Sequence, residues 1–133
     1  MWFQIDPRLS KPIYLQIVDG VKEACAKHIL NPGDRLPSVR ELAAEMTLNP
    51  NTVAKAYQEL ERTHVIEVIR GRGTFVAAPS PVPDKEQRLA AMRDTIKHLW
   101  IEAQYLQMTS HDLLALMHAT VAEWDRERGR ERV

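Results

Sequence analysis

Pro79, Pro81 and Pro83 occupy alternate positions of the segment Ala77-Ala78-Pro79-Ser80-Pro81-Val82-Pro83. Each proline fixes φ and removes a backbone donor, so this stretch forbids helix and suits a stiff, partly extended connector. The 133-residue chain is therefore expected in pieces. Residues 1–76 carry mixed helix and strand signals, 77–83 connect, 84–127 carry helix signals almost alone, and 128–133 form a charged tail. No internal repeat relates the two parts.

Composition narrows the function classes. Hydrophobic residues at 44% and charged residues at 27% suit a globular chain and argue against disorder. Eighteen Lys and Arg balance eighteen Asp and Glu, which disfavours coating nucleic acid through bulk positive charge but leaves room for a local basic face. The single Cys25 excludes an internal disulfide and a C-x-x-C site. The longest apolar run, Leu113 to Met117, is too short for a membrane span. Met1-Trp2-Phe3-Gln4-Ile5-Asp6 lacks the charged and apolar regions of a signal peptide. A cytoplasmic protein without membrane contact is expected.

Periodicity in the first part predicts three short helices and a hairpin. Pro12 fits a first helical turn, and Ile13, Ile17, Val21 and Ala24 recur on one face until Asn31-Pro32-Gly33-Asp34 stops the helix. Ser38-Val39-Arg40-Glu41 is a capping box opening a second helix of about nine residues. Asn49-Pro50 caps a third, whose buried stripe is Val53, Ala56, Tyr57 and Leu60. Val65 to Arg70 and Thr74-Phe75-Val76 read as strands joined through Gly71-Arg72-Gly73. Gly20, inside the first helical pattern, points to close packing.

Two short helices separated by Thr47-Leu48-Asn49 make a helix-turn-helix, and the hairpin adds a wing. The fold class expected is an α+β winged helix-turn-helix followed by a small all-α element. Burying the third helix's stripe leaves Asn49, Asn51, Thr52 and Lys55 free to meet a groove. Asn and Thr can bond base edges or phosphates, and Lys adds a point charge. Arg70 and Arg72 beside glycines suit a narrow minor groove. With Arg35, Arg40 and Lys55 they complete a set of five cations expected on one side.

These residues also carry a resemblance. Pro12-Ile13-Tyr14-Leu15-Gln16-Ile17, the run Gly33 to Ala43 and Gly71-Arg72-Gly73-Thr74-Phe75-Val76 look like the GntR family of bacterial transcription regulators. The opening motif and the short second part are similar to its YtrA subfamily. The resemblance implies a winged-helix homodimer that binds an inverted-repeat operator, usually as a repressor. It implies DNA contacts for Arg40, for Asn49, Asn51, Thr52 and Lys55, and for Arg70, Gly71 and Arg72. Ala54 stands where relatives often carry a further cation, and Pro50 where some carry a polar residue.

In the second part, Leu89, Met92, Ile96, Leu99, Ala103 and Leu106 step by alternating threes and fours, an a/d seam that Trp100 widens. Thr109-Ser110-His111-Asp112 offers caps for a second helix, where Leu113, Leu114, Met117, Val121 and Trp124 continue the apolar face. Such stripes need a partner, and a second copy of the chain is expected to supply it.

The other readings are a protein-docking winged helix and a sensor whose tail binds a metal or small molecule. His98, His111 and His118 with Asp112 could serve a sensor, but their spacing is sparse for a metal site. Cys25 reads as a small core residue. No Gly-rich phosphate loop, G-x-S-x-G or H-E-x-x-H supports catalysis, so neither enzyme activity nor a cofactor is expected. The expected partners are an operator duplex and a second copy, with any small-molecule effector left open.

Overall fold

The computed structural model describes residues 3–79, 81 and 84–131, with side chains through 127. Met1, Trp2, Ser80, Val82, Pro83, Arg132 and Val133 lie outside the described residues. So does part of the expected connector. The chain divides into two compact units, Met1–Ser80 and Pro81–Val133.

In the first unit, α1 (Ile13–Ala26), α2 (Val39–Met46) and α3 (Pro50–Arg62) surround a core closed by a small sheet. The strands are β1 (Arg35–Leu36), β2 (Ile66–Ile69) and β3 (Gly73–Val76), antiparallel in the order β1-β3-β2. Register puts Leu36, Ile66 and Val76 on the core face, all nearly inaccessible, with Arg35, Phe75 and Glu67 aligned across the other face. The core also takes Ile17, Val21, Leu42, Val53 and Leu60.

Sequence caps set the helix starts. Ser38 Oγ accepts from Glu41 N at 3.1 Å while the Glu41 carboxylate accepts from Ser38 N, the expected capping box. Asn49 Oδ1 accepts from Asn51 N at 2.8 Å, with Pro50 opening α3.

Helix ends differ from expectation. α1 stops at Ala26, before Asn31-Pro32-Gly33-Asp34 is reached. His28 adopts φ 60°, and the amides of His28 and Ile29 turn back to the carbonyls of Cys25 and Ala24. This is a Schellman ending built without glycine. Thr47 (φ 55°) and His64 (φ 62°) close α2 and α3 through equivalent bonds. Residues 31–36 instead turn, Gly33 at φ 89°, and lead into β1, a third strand absent from the expected hairpin.

An unforeseen feature is a strap formed by residues 3–11. The buried Gln16 carboxamide bonds Asp6 N, Asp6 O and Lys11 O, each at 2.9 Å. Phe3 and Ile5 pack on the core, and a methyl on Gly20 would lie 2.4 Å from Phe3 Cγ. Gly20 is thus a close-packing position, as expected.

The second unit contains α4 (Lys85–Tyr105) and α5 (Ser110–Glu131). Gln107 (φ 56°) ends α4 in the same glycine-free way. A reciprocal pair starts α5: Thr109 Oγ1 accepts from Asp112 N, and the Asp112 carboxylate accepts from Thr109 N. The backbone of α5 continues through Glu131, into the stretch expected as a charged tail. The charged residues there are good helix formers, and no proline interrupts them. α4 and α5 touch over a short stretch only. No described helix is long and apolar enough to cross a membrane.

Candidate nucleic-acid interface

The helix-turn-helix is fixed by one buried donor. Tyr57 Oη of α3 donates to Pro37 O, immediately before the α2 cap, at 2.6 Å. Burial, with Glu41 as a lesser cause, pushes the Tyr57 phenol well above its ordinary pKa, so it remains a donor. The turn Thr47-Leu48-Asn49 then delivers α3 with Asn49, Asn51 and Lys55 exposed and Thr52 half-buried. Asn49 spends its side-chain oxygen on the cap, which leaves its NH2 group to meet a partner. The Asn51 carboxamide makes no hydrogen bond among the described residues.

The wing tip is a tight turn. Arg72 N donates to Ile69 O at 2.9 Å, with Gly71 at φ 80° in the third position, as a type II turn requires. Arg70 and Arg72 are exposed on either side of Gly71. Arg35 joins them from β1: its guanidinium passes over Gly73, where an added Cβ would lie 3.4 Å from Nε. The strand β1 that the sequence reading missed is what carries Arg35 to the wing. The signal was Leu36, an apolar residue beside an exposed cation.

Charge pairing distinguishes these cations from four others of the first unit. Arg8, Lys11, Lys27 and Arg62 pair with Asp6, Asp19, Glu23 and Glu59. Among the described residues, Arg35, Arg40, Arg70 and Arg72 have no ion pair. Arg40, exposed in the first turn of α2, is not held by an acid of its own helix. Lys55 meets an aromatic partner that the sequence reading did not foresee, with Nζ 4.1 Å from the Tyr14 ring centroid.

The second unit exposes most of the expected seam. Met92, Ile96 and Leu99 are 60%, 44% and 45% exposed. Trp100, Leu106, Met117 and Val121 are exposed, and Leu89 and Leu113 half-buried. Ala103 departs from expectation, being already buried, so it has little surface to offer a partner. Asp112 is held by Thr109, which lowers its carboxyl pKa through backbone and then side-chain hydrogen bonds. His98 Nδ1 lies 2.8 Å from Asp94 O. Among the described residues no group of three or more His, Cys, Asp or Glu is arranged to hold a metal. Burial, then Asp34, pushes the Cys25 thiol up, away from the reactive thiolate.

Comparisons with known proteins fit this geometry. The family model "Bacterial regulatory proteins, gntR family" matches residues 13–76, which span all three helices and the wing. The HTH-type transcriptional repressor YtrA of Bacillus subtilis is 51% identical over 102 residues, covering 77% of this chain and 78% of that protein. A crystal structure described as a transcriptional antiterminator from Listeria monocytogenes has a TM-score of 0.84 at 35% identity, covering 93% and 92% of the two chains. YtrA from Sulfolobus acidocaldarius, a GntR-family transcription factor, gives a TM-score of 0.54 at 33% identity, with 91% and 97% covered. With its cations unpaired around a capped second helix and wing, the chain belongs to the GntR family of DNA-binding transcription regulators, and not to a family of enzymes.

Proposed function

We propose that the protein is a homodimeric repressor that binds an inverted-repeat operator, with α3 in the major groove and the wing tip at the minor groove. The observation that carries this reading is the absence of ion pairs at Arg35, Arg40, Arg70 and Arg72, while Arg8, Lys11, Lys27 and Arg62 of the same unit are each paired with an acid. An unpaired guanidinium is already free to meet phosphate or a base edge, with no protein salt bridge to break first. Asn51 and Thr52 supply base-edge or phosphate bonds from the start of α3, and Asn49 contributes through its NH2 group. Gly71 lets the wing backbone approach closely.

The dimer reading is supported by the exposed stripe of Met92, Ile96, Leu99, Trp100, Met117 and Val121. Two helices that scarcely touch each other leave that surface in water, and a second copy offers the same stripe for self-complementary burial. The domain assignment follows: residues 1–76 bind DNA and 84–127 hold the dimer.

Substituting Arg40→Ala and Arg72→Ala tests the DNA face. Each variant is expected to fold normally and to lose about 1–3 kcal/mol of operator affinity. Unchanged affinity in both would overturn the assignment.

A further inference from the structure

Lys55 is a cation of the interface whose side chain packs over an aromatic ring. Val53, Ala56, Tyr57 and Leu60 set the core direction of α3. At 100° per residue, Asn51 and Lys55 both fall on the opposite face, with Lys55 turned by about 40° from Asn51. Tyr14, the second residue of α1, is half-buried against the core, and α1 packs along α3. Its ring lies 4.1 Å from the Lys55 ammonium, inside cation–π range. The ring draws the charge off the face that Asn51 presents and toward α1. The ammonium hydrogens that point away from the ring stay free to donate to an oxyanion. Asn51, with a free carboxamide, keeps the geometry for a bidentate bond to an adenine edge.

We infer that Tyr14 is a positioning residue that holds Lys55 against α1 for a phosphate of the flanking strand, leaving base reading to Asn51. This rests on the operator-binding reading above. Lys55 then contributes affinity without sequence preference. A lysine that is already restrained loses less rotamer freedom on binding, an advantage of roughly two- to twelvefold in affinity.

The test uses the full chain and two probes: a duplex selected from a random-sequence pool by the wild-type protein, and a scrambled duplex of the same composition. Anisotropy titrations at several salt concentrations compare wild type, Lys55→Met, Tyr14→Leu, Tyr14→Phe and the Lys55→Met, Tyr14→Leu double variant. Lys55→Met should weaken binding to both duplexes by the same factor and reduce the salt slope by about 0.9. Tyr14→Leu should weaken binding roughly two- to twelvefold alone and not at all in the Lys55→Met background. Tyr14→Phe, which keeps the ring, should bind as wild type. Equal loss from Tyr14→Leu in both backgrounds, or a Lys55→Met loss confined to the selected duplex, would overturn the inference. Lys55→Met alters an exposed residue, so its salt slope decides the phosphate role even where Tyr14→Leu fails to fold. If wild type selects no preferred duplex, the operator reading falls, and this inference with it. A selected duplex with no effect of Lys55→Met removes this inference alone.

Discussion

Thr47 shows at the residue scale why helix ends were the least legible part of the sequence. Sequence reasoning looks for glycine or proline where a helix stops, because only glycine adopts the left-handed region without a Cβ penalty. Here His28, Thr47, His64 and Gln107 take that conformation, each held by backbone bonds and the packing that follows. A β-branched residue at φ 55° is the most strained of the four. Thr47→Gly is therefore expected to raise unfolding free energy by about 1 kcal/mol, read from urea denaturation. No change or a loss would mean that Thr47 is compensated by contacts of its side chain. Tyr57→Phe should act in the opposite direction, losing about 1 kcal/mol with its bond to Pro37 O. Gly20→Ala should cost more than its helix propensity returns, because the new methyl displaces Phe3.

At the scale of elements, the starts of α2, α3 and α5 were legible because their caps are local: Ser38 with Glu41, Asn49 with Pro50, Thr109 with Asp112. The hairpin was legible from its β-branched residues and glycines. β1 was not, since two residues carry no periodicity and pair only once β3 lies beside them. The same holds within the candidate interface. Asn51, Arg40 and Arg72 could be named from caps and turns, whereas the Lys55–Tyr14 contact depends on how α1 and α3 pack. The α5 cap also carries a pH dependence. The Asp112 pKa is lowered in the folded chain by its bonds to Thr109. Its contribution is therefore present above the unfolded-state carboxylate pKa, near 3.9, and is lost as pH falls through the lower folded value. Acid titration of helicity should show Asp112→Asn less sensitive than wild type over that range. Identical acid profiles would remove the cap from the account.

For the whole molecule, the proposed homodimer rests on the second unit. Its seam was legible as a periodicity, but whether the stripe would be buried within one chain depended on the path of α5. The structure leaves most of the stripe exposed. Leu99→Asp places a charge in that stripe and should shift the protein to monomer in sedimentation, lowering operator affinity in parallel. A monomer that still binds tightly would separate DNA binding from assembly.

The most direct measurement is to select duplexes from a random-sequence pool with the purified protein and to determine the stoichiometry and salt dependence of the recovered complex. The account predicts a dyad-symmetric sequence bound by two chains, with affinity falling steeply as salt rises. Recovery of no preferred sequence, or tight salt-insensitive binding of a single chain, would contradict it.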